Sequence, residues 1–127
     1  MNFRYEHNCI RISDKDRSVA FYEKALGMTF FRCFSPPDNP SLELVFLLDE
    51  NTGHMLELSC SPDTGRNSGE CPVHMAFVAE DMDADRSRHK SMGCIFRDDP
   101  DAEVYFIADP DGYLIEIIPP VPTQRPF

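Results

Sequence analysis

Residues 106–117 read FIADPDGYLIEI. Phe106, Ile107 and Ala108 lead into four turn formers, Asp109 to Gly112, and Leu114, Ile115, Ile117 and Ile118 then read as a strand. Glu116 interrupts that apolar run. A carboxylate near a core is unfavourable unless something pairs with it or binds it. On a half-exposed strand it is an ordinary outward-facing charge. The alternative is a metal ligand or a catalytic base, and the choice turns on whether the pattern recurs.

It recurs. Upstream of the quoted stretch, HMAFV (74–78) reads as a strand and AEDMDADRSRHKSMG (79–93) as a helix-length segment ending at Gly93. CIFR (94–97), an acidic proline-bearing loop, EVYFIA (103–108), the turn DPDG and YLIEII (113–118) follow. The same order starts at His7. HNCIRI (7–12) is a short strand, and a helix follows with Ser13 or Asp14 as N-cap, Val19, Tyr22 and Leu26 on one face, and Gly27 to end it. MTFFRCF (28–34), LELVFLL (42–48) and HMLELSC (54–60) are strands, joined by the loop SPPDNP and the turn DENTG. His7 to Gly27 spans twenty residues and His74 to Gly93 nineteen; Gly53 precedes Glu57 by four, as Gly112 precedes Glu116. The chain therefore reads as one α+β domain, 1–127, of two tandem βαβββ modules, 5–61 and 72–119. Residues 62–71 are the expected linker and 120–127 an extended, proline-rich C-terminal arm.

Bulk composition narrows the function. A length of 127 residues with 42% hydrophobic and 11% aromatic content suits one globular domain. No apolar run has the length of a membrane helix, and the first residues lack the apolar stretch of a secretory signal, so a cytoplasmic protein is expected. A net charge of −10 without a Lys/Arg cluster argues against nucleic acid and membrane surfaces as partners, and would mildly repel an anionic substrate. The five cysteines form no CxxC pair and read as reduced, mostly packing thiols. His54 and His89 have no counterpart in the other module and read as surface residues.

Each module opens on a histidine and closes on a glutamate, so His7, Glu57, His74 and Glu116 occupy equivalent places. By strand alternation His7 shares a face with Cys9 and Arg11, His74 with Ala76 and Val78, and Glu116 with Leu114 and Ile118. If each module curls its sheet, these faces line one cleft. Two imidazoles and two carboxylates suit a divalent ion of intermediate hardness, with Zn, Ni, Co, Mn and Fe(II) all conceivable. Four protein ligands on an octahedral ion leave two positions for water or an oxygen-bearing substrate. Half-barrels also leave apolar faces to cover, so a homodimer is expected, with the site either within one chain or shared between two.

The double βαβββ plan with His…Glu…His…Glu, together with FYEKALGM (21–28) and FIADPDGYLIEI, resembles the vicinal oxygen chelate superfamily, and within it most closely glyoxalase I, the lactoylglutathione lyases. The resemblance implies a curved mixed sheet around a metal cleft. It implies one divalent metal per site, held by His7, Glu57, His74 and Glu116, with Ni or Co favoured for a compact chain and Zn as the alternative. It implies that the hemithioacetal of methylglyoxal and a thiol such as glutathione becomes the lactoyl thioester through an enediolate. Glu116 would move the proton with Glu57 as its partner. Arg11 stands where the family pairs an arginine with a substrate carboxylate, and Ser61 where it usually carries an asparagine. The loop DDPDAE (98–103) has no lysine or arginine where the family places basic residues. Within the superfamily an epimerase, an extradiol-type dioxygenase or a small-molecule-sequestering protein is the alternative function.

Overall fold

A computed structural model describes residues 5–62, 74–98 and 103–120. It divides into two compact units, Met1–Ser68 and Gly69–Phe127. The expected linker and C-terminal arm, apart from Pro62 and Pro120, lie outside the described residues, as do positions 99–102 of the acidic loop. Each unit is a four-stranded mixed sheet with one helix.

In the first unit β1 (His7–Ile12), α1 (Lys15–Leu26), β2 (Thr29–Phe34), β3 (Glu43–Leu48) and β4 (Met55–Cys60) follow in chain order. The strands lie in the order β1-β4-β3-β2, with β1 parallel to β4 and the other pairs antiparallel. Asp14, not Ser13, is the N-cap: its carboxylate accepts the Arg17 backbone N–H at 3.0 Å. Gly27 ends the helix at φ 67°, a left-handed conformation that glycine adopts without a Cβ penalty.

The buried face of α1 is Ser18, Tyr22 and Ala25, whereas Val19 and Leu26 are only half-buried. The expected stripe of Val19, Tyr22 and Leu26 is thus rotated. The small residues Ser18 and Ala25 flank Tyr22 on this face, and the phenol ring is fully buried. Ile12, Val45, Leu47, Leu56 and Leu58 complete this core.

The second unit repeats the plan as β5 (Met75–Val78), α2 (Met82–Met92), β6 (Ile95–Asp98), β7 (Tyr105–Ala108) and β8 (Leu114–Ile118), in sheet order β5-β8-β7-β6. Asp81 caps α2 by accepting the Ala84 N–H at 3.2 Å, and Gly93 closes it. The repeat reaches the turns. Asp109 Oδ1 accepts the backbone N–H groups of Asp111 and Tyr113 at 2.9 and 2.8 Å, and Asp49 Oδ1 accepts that of Asn51 at 3.0 Å. Such side-chain-to-backbone bonds are what Asp brings to a turn.

His89 departs from its expected place at the surface: it is 1% exposed. Helix α2 has almost no apolar residues to bury, so its core contact is polar. His89 Nδ1 and the Tyr105 hydroxyl lie 2.9 Å apart, and the Arg86 guanidinium sits 4.9 Å from the Tyr105 ring centroid. Arg86 Nε is 3.2 Å from Asp98 Oδ2 without the alignment of a hydrogen bond. The cysteines also differ from expectation. Cys9 and Cys33 are exposed and Cys60 and Cys94 half-buried, because Cys9 alternates onto the face away from the helix and Cys33 sits on the edge strand β2; Cys71 lies outside the described residues.

Burial, and then the Asp85 charge, push the Tyr105 hydroxyl up to about 12. An unfolded tyrosine ionises near pH 10, so the folded state keeps this proton longer. The associated stability is intact below about pH 10 and is lost as the pH rises to about 12, roughly 2–3 kcal/mol in all. Urea unfolding at about pH 9 and about pH 11.5 should register that loss, and Tyr105→Phe should shrink it. An equal loss in both proteins would place the alkaline sensitivity elsewhere.

Candidate metal centre

In each unit the opening histidine and the closing glutamate meet. On the first sheet Glu57 lies in register with Cys9 on the parallel strand β1, so His7, two residues earlier, sits diagonally from it on the same face. His7 Nε2 is 3.3 Å from Glu57 Oε1. On the second sheet Glu116 is in register with Ala76, and His74 Nε2 is again 3.3 Å from Glu116 Oε1. The glutamate side chains keep 15% and 26% exposure, enough for a ligand to reach them and too little for a freely solvated charge. Neither glutamate faces its unit's core, because the core residues Leu56, Leu58, Ile115 and Ile117 alternate with them onto the helix side.

Two features orient the imidazoles. His7 Nδ1 is 3.2 Å from Glu6 Oε2, an arrangement that directs the other ring nitrogen toward Glu57. Phe46, in register with Glu57, meets the His7 ring edge-on at 5.5 Å and 82°. Phe106, in register with Glu116, meets His74 in the same way at 5.8 Å and 72°. The aromatic walls were not singled out from the sequence. Nor were Arg32 and Arg97, which stand in register with Phe46 and Phe106 and follow an equivalent register shift on β2 and β6. The dipeptide Phe-Arg at 31–32 and 96–97 is the signal that would have found them.

Arg11 is exposed on the His7 face, in register with Ser59, and Ser61 lies half-buried one residue past the end of β4. Partial burial, followed by the neighbouring Glu57 carboxylate, raises the Cys9 thiol above its ordinary value, so it is held as a neutral thiol beside the pair. His54 is accounted for locally: its Nε2 lies 2.9 Å from Asn8 Oδ1 and its ring stacks on Tyr5.

The donor sets fit a divalent ion. Two ligands at about 2.0–2.1 Å from one ion and roughly at right angles stand about 3 Å apart, close to the 3.3 Å separation in each pair. Each unit brings two such donors; among the described residues no group of three or more His, Cys, Asp and Glu side chains is gathered for a metal ion. Among the same residues no helix is long and apolar enough to cross a membrane.

Comparison with known proteins places these features in context. A family model described as the Glyoxalase/Bleomycin resistance protein/Dioxygenase superfamily matches residues 4–117. A lactoylglutathione lyase of Neisseria meningitidis is 31% identical, over 91% of this chain and 89% of its own. A probable lactoylglutathione lyase of Vibrio cholerae is 29% identical, over 92% and 91%. Among solved structures, the trypanothione-dependent glyoxalase I of Leishmania major superposes with a TM-score of 0.80 at 32% identity, over 93% of this chain and 87% of that one. The fosfomycin resistance protein FosX of Listeria monocytogenes, at 18% identity and a TM-score of 0.79, shares the fold.

Proposed function

Because this chain belongs to the Glyoxalase/Bleomycin resistance protein/Dioxygenase superfamily, we propose that it is a metal-dependent lyase of the glyoxalase I type, which converts the hemithioacetal of a 2-oxoaldehyde and a thiol into the 2-hydroxyacyl thioester. The observation that carries this reading is the pair of repeat-equivalent His–Glu contacts, His7 with Glu57 and His74 with Glu116, each at 3.3 Å. The two pairs together supply four ligands to one divalent ion, Ni or Co by the compactness of the chain and Zn as the alternative. That ion, when bound, supplies positive charge where the substrate oxygens become anionic.

The chain's own residues then do the rest. Glu116 removes the C–H proton from the hemithioacetal carbon and returns it to the adjacent carbonyl carbon through an enediolate, so no proton or electron is gained or lost overall. Glu57 is its partner across the site, Arg11 pairs with a carboxylate of the substrate, and Ser61 offers one further hydrogen-bond donor. The protein acts in the cytoplasm on a small molecule. Exposed Phe30, Phe31 and Phe34 on β2, and Phe96 on β6, support a homodimer.

The charge balance favours a second reading of the thiol. Residues 98–103, DDPDAE, carry four acidic side chains and no basic one, and the whole chain carries −10. A similar solved structure is of a trypanothione-dependent enzyme. A thiol with a cationic arm suits this electrostatic setting better than one of net negative charge.

Spectrophotometry of thioester formation from methylglyoxal tests both. Metal-stripped protein is reloaded separately with Ni, Co and Zn and given glutathione or trypanothione. Turnover that requires metal, and that Ni or Co restores best, supports the lyase. A higher kcat/KM for trypanothione, falling with added salt, selects the cationic thiol. Stoichiometric metal binding with no turnover of either adduct would overturn the lyase reading.

A further inference from the structure

Arg32, on β2, is in register with Phe46 on β3, which is in register with Glu57 on β4. These three residues form a row across one face of the first sheet, and His7 meets Phe46 edge-on. The Arg32 guanidinium lies 4.9 Å from the Phe34 ring centroid and 5.2 Å from that of Phe46. The two rings are stacked, 5° from parallel and 6.1 Å apart. The guanidinium is thus held over a two-ring platform, and among the described residues no carboxylate pairs with it.

Among the described residues, Lys15, Arg86 and Arg88 do have carboxylates within 4.0 Å. The row itself recurs in the second unit, where Arg97 is in register with Phe106 and Phe106 with Glu116. An arginine two strands from the metal-ligating glutamate is therefore part of how each sheet is built. Of these two arginines, Arg32 alone is placed over a pair of aromatic rings among the described residues.

We propose that Arg32 is a carboxylate anchor for the thiol half of the substrate. The inference rests on the hemithioacetal reading and adds to it a second contact point, on the strand opposite that of Arg11. A planar guanidinium presents paired N–H donors that match the two oxygens of a carboxylate. A guanidinium already restrained by ring contacts loses less freedom when the anion arrives. Two strand spacings separate β2 from β4, about 10 Å. A carboxylate that reaches Arg32 from a thiol bound beside Glu57 is therefore remote from sulfur, as are the terminal carboxylates of a tripeptide with a central cysteine. A carboxylate on the carbon next to the thiol-bearing one, as in free cysteine, lies too close to sulfur to span that distance.

The test compares wild-type, Arg32→Gln and Arg32→Lys proteins, each loaded with the metal that supports turnover. The substrates are methylglyoxal adducts of glutathione and of glutathione with its carboxylates amidated. The expected result is a rise in KM of about 10- to 100-fold for Arg32→Gln with the free-carboxylate thiol. The value of kcat stays nearly unchanged, Arg32→Lys shows a smaller effect, and the variants do not differ on the amidated thiol. Calorimetric binding of S-methylglutathione, which cannot react, should weaken by a similar factor in Arg32→Gln. A KM that rises equally for both thiols, or unchanged binding of S-methylglutathione, would overturn the proposal and leave Arg32 as packing for the Phe34–Phe46 platform. Wild-type protein inactive on these adducts and on that of trypanothione would overturn the lyase reading instead, and the calorimetric comparison would still decide for or against Arg32 as a carboxylate anchor.

Discussion

Glu116→Gln is expected to lower kcat by about 10²- to 10⁴-fold while the protein stays folded and the KM changes little. The argument is local and chemical. The side chain sits on β8 between the apolar positions Ile115 and Ile117, 3.3 Å from the His74 imidazole and 26% exposed. Gln has nearly the same shape, so packing against Phe106 and Ala76 is preserved. It can still offer an oxygen to a metal, but it cannot accept a proton and hand it back. Stopped assays of thioester formation, with metal content measured on the same samples, check this. A variant that keeps its metal and retains more than about a tenth of wild-type kcat would remove Glu116 from the role of base.

The second large effect concerns the histidines. His7→Ala and His74→Ala should each reduce metal affinity by at least about 100-fold and abolish turnover at limiting metal. Each unit holds one His–Glu pair with the same 3.3 Å separation, and under the four-ligand proposal neither pair is a spare. Titration with Co, followed by its visible absorption, measures the affinity directly. If one variant keeps full affinity, the ion is held by one unit alone and the four-ligand proposal fails. Glu57→Gln extends the comparison. In a dioxygenase-type site with two histidines and one glutamate, metal binding would survive this change, whereas in the lyase reading the affinity falls with activity.

Much of the fold is legible in the sequence. The strands, the two helix stops at Gly27 and Gly93 and the turns at Asp49 and Asp109 are local features, set by alternation and by residues that favour turns. The equivalence of His7 with His74 and of Glu57 with Glu116 follows from counting between those markers. What local pattern could not reach was register. Arg32, Phe46 and Glu57 lie 14 and 11 residues apart in sequence, and a shift within β2 decides that Arg32 faces Phe46 at all. Slipping a strand by one residue sends every side chain to the other face.

Two βαβββ modules, each with a histidine at its entrance and a glutamate on its last strand, follow from the order of residues alone, because those signals are carried by nearest neighbours and by the glycines and aspartates of the turns. Packing was needed to bury Ser18 and Ala25, rather than Val19 and Leu26, beside Tyr22, and to bury His89 against Tyr105. Helix rotation follows from the fit of a helix against its sheet, and a polar core contact follows from a helix with few apolar residues to bury. Both depend on the shape of the partner surface, which no stretch of chain carries alone.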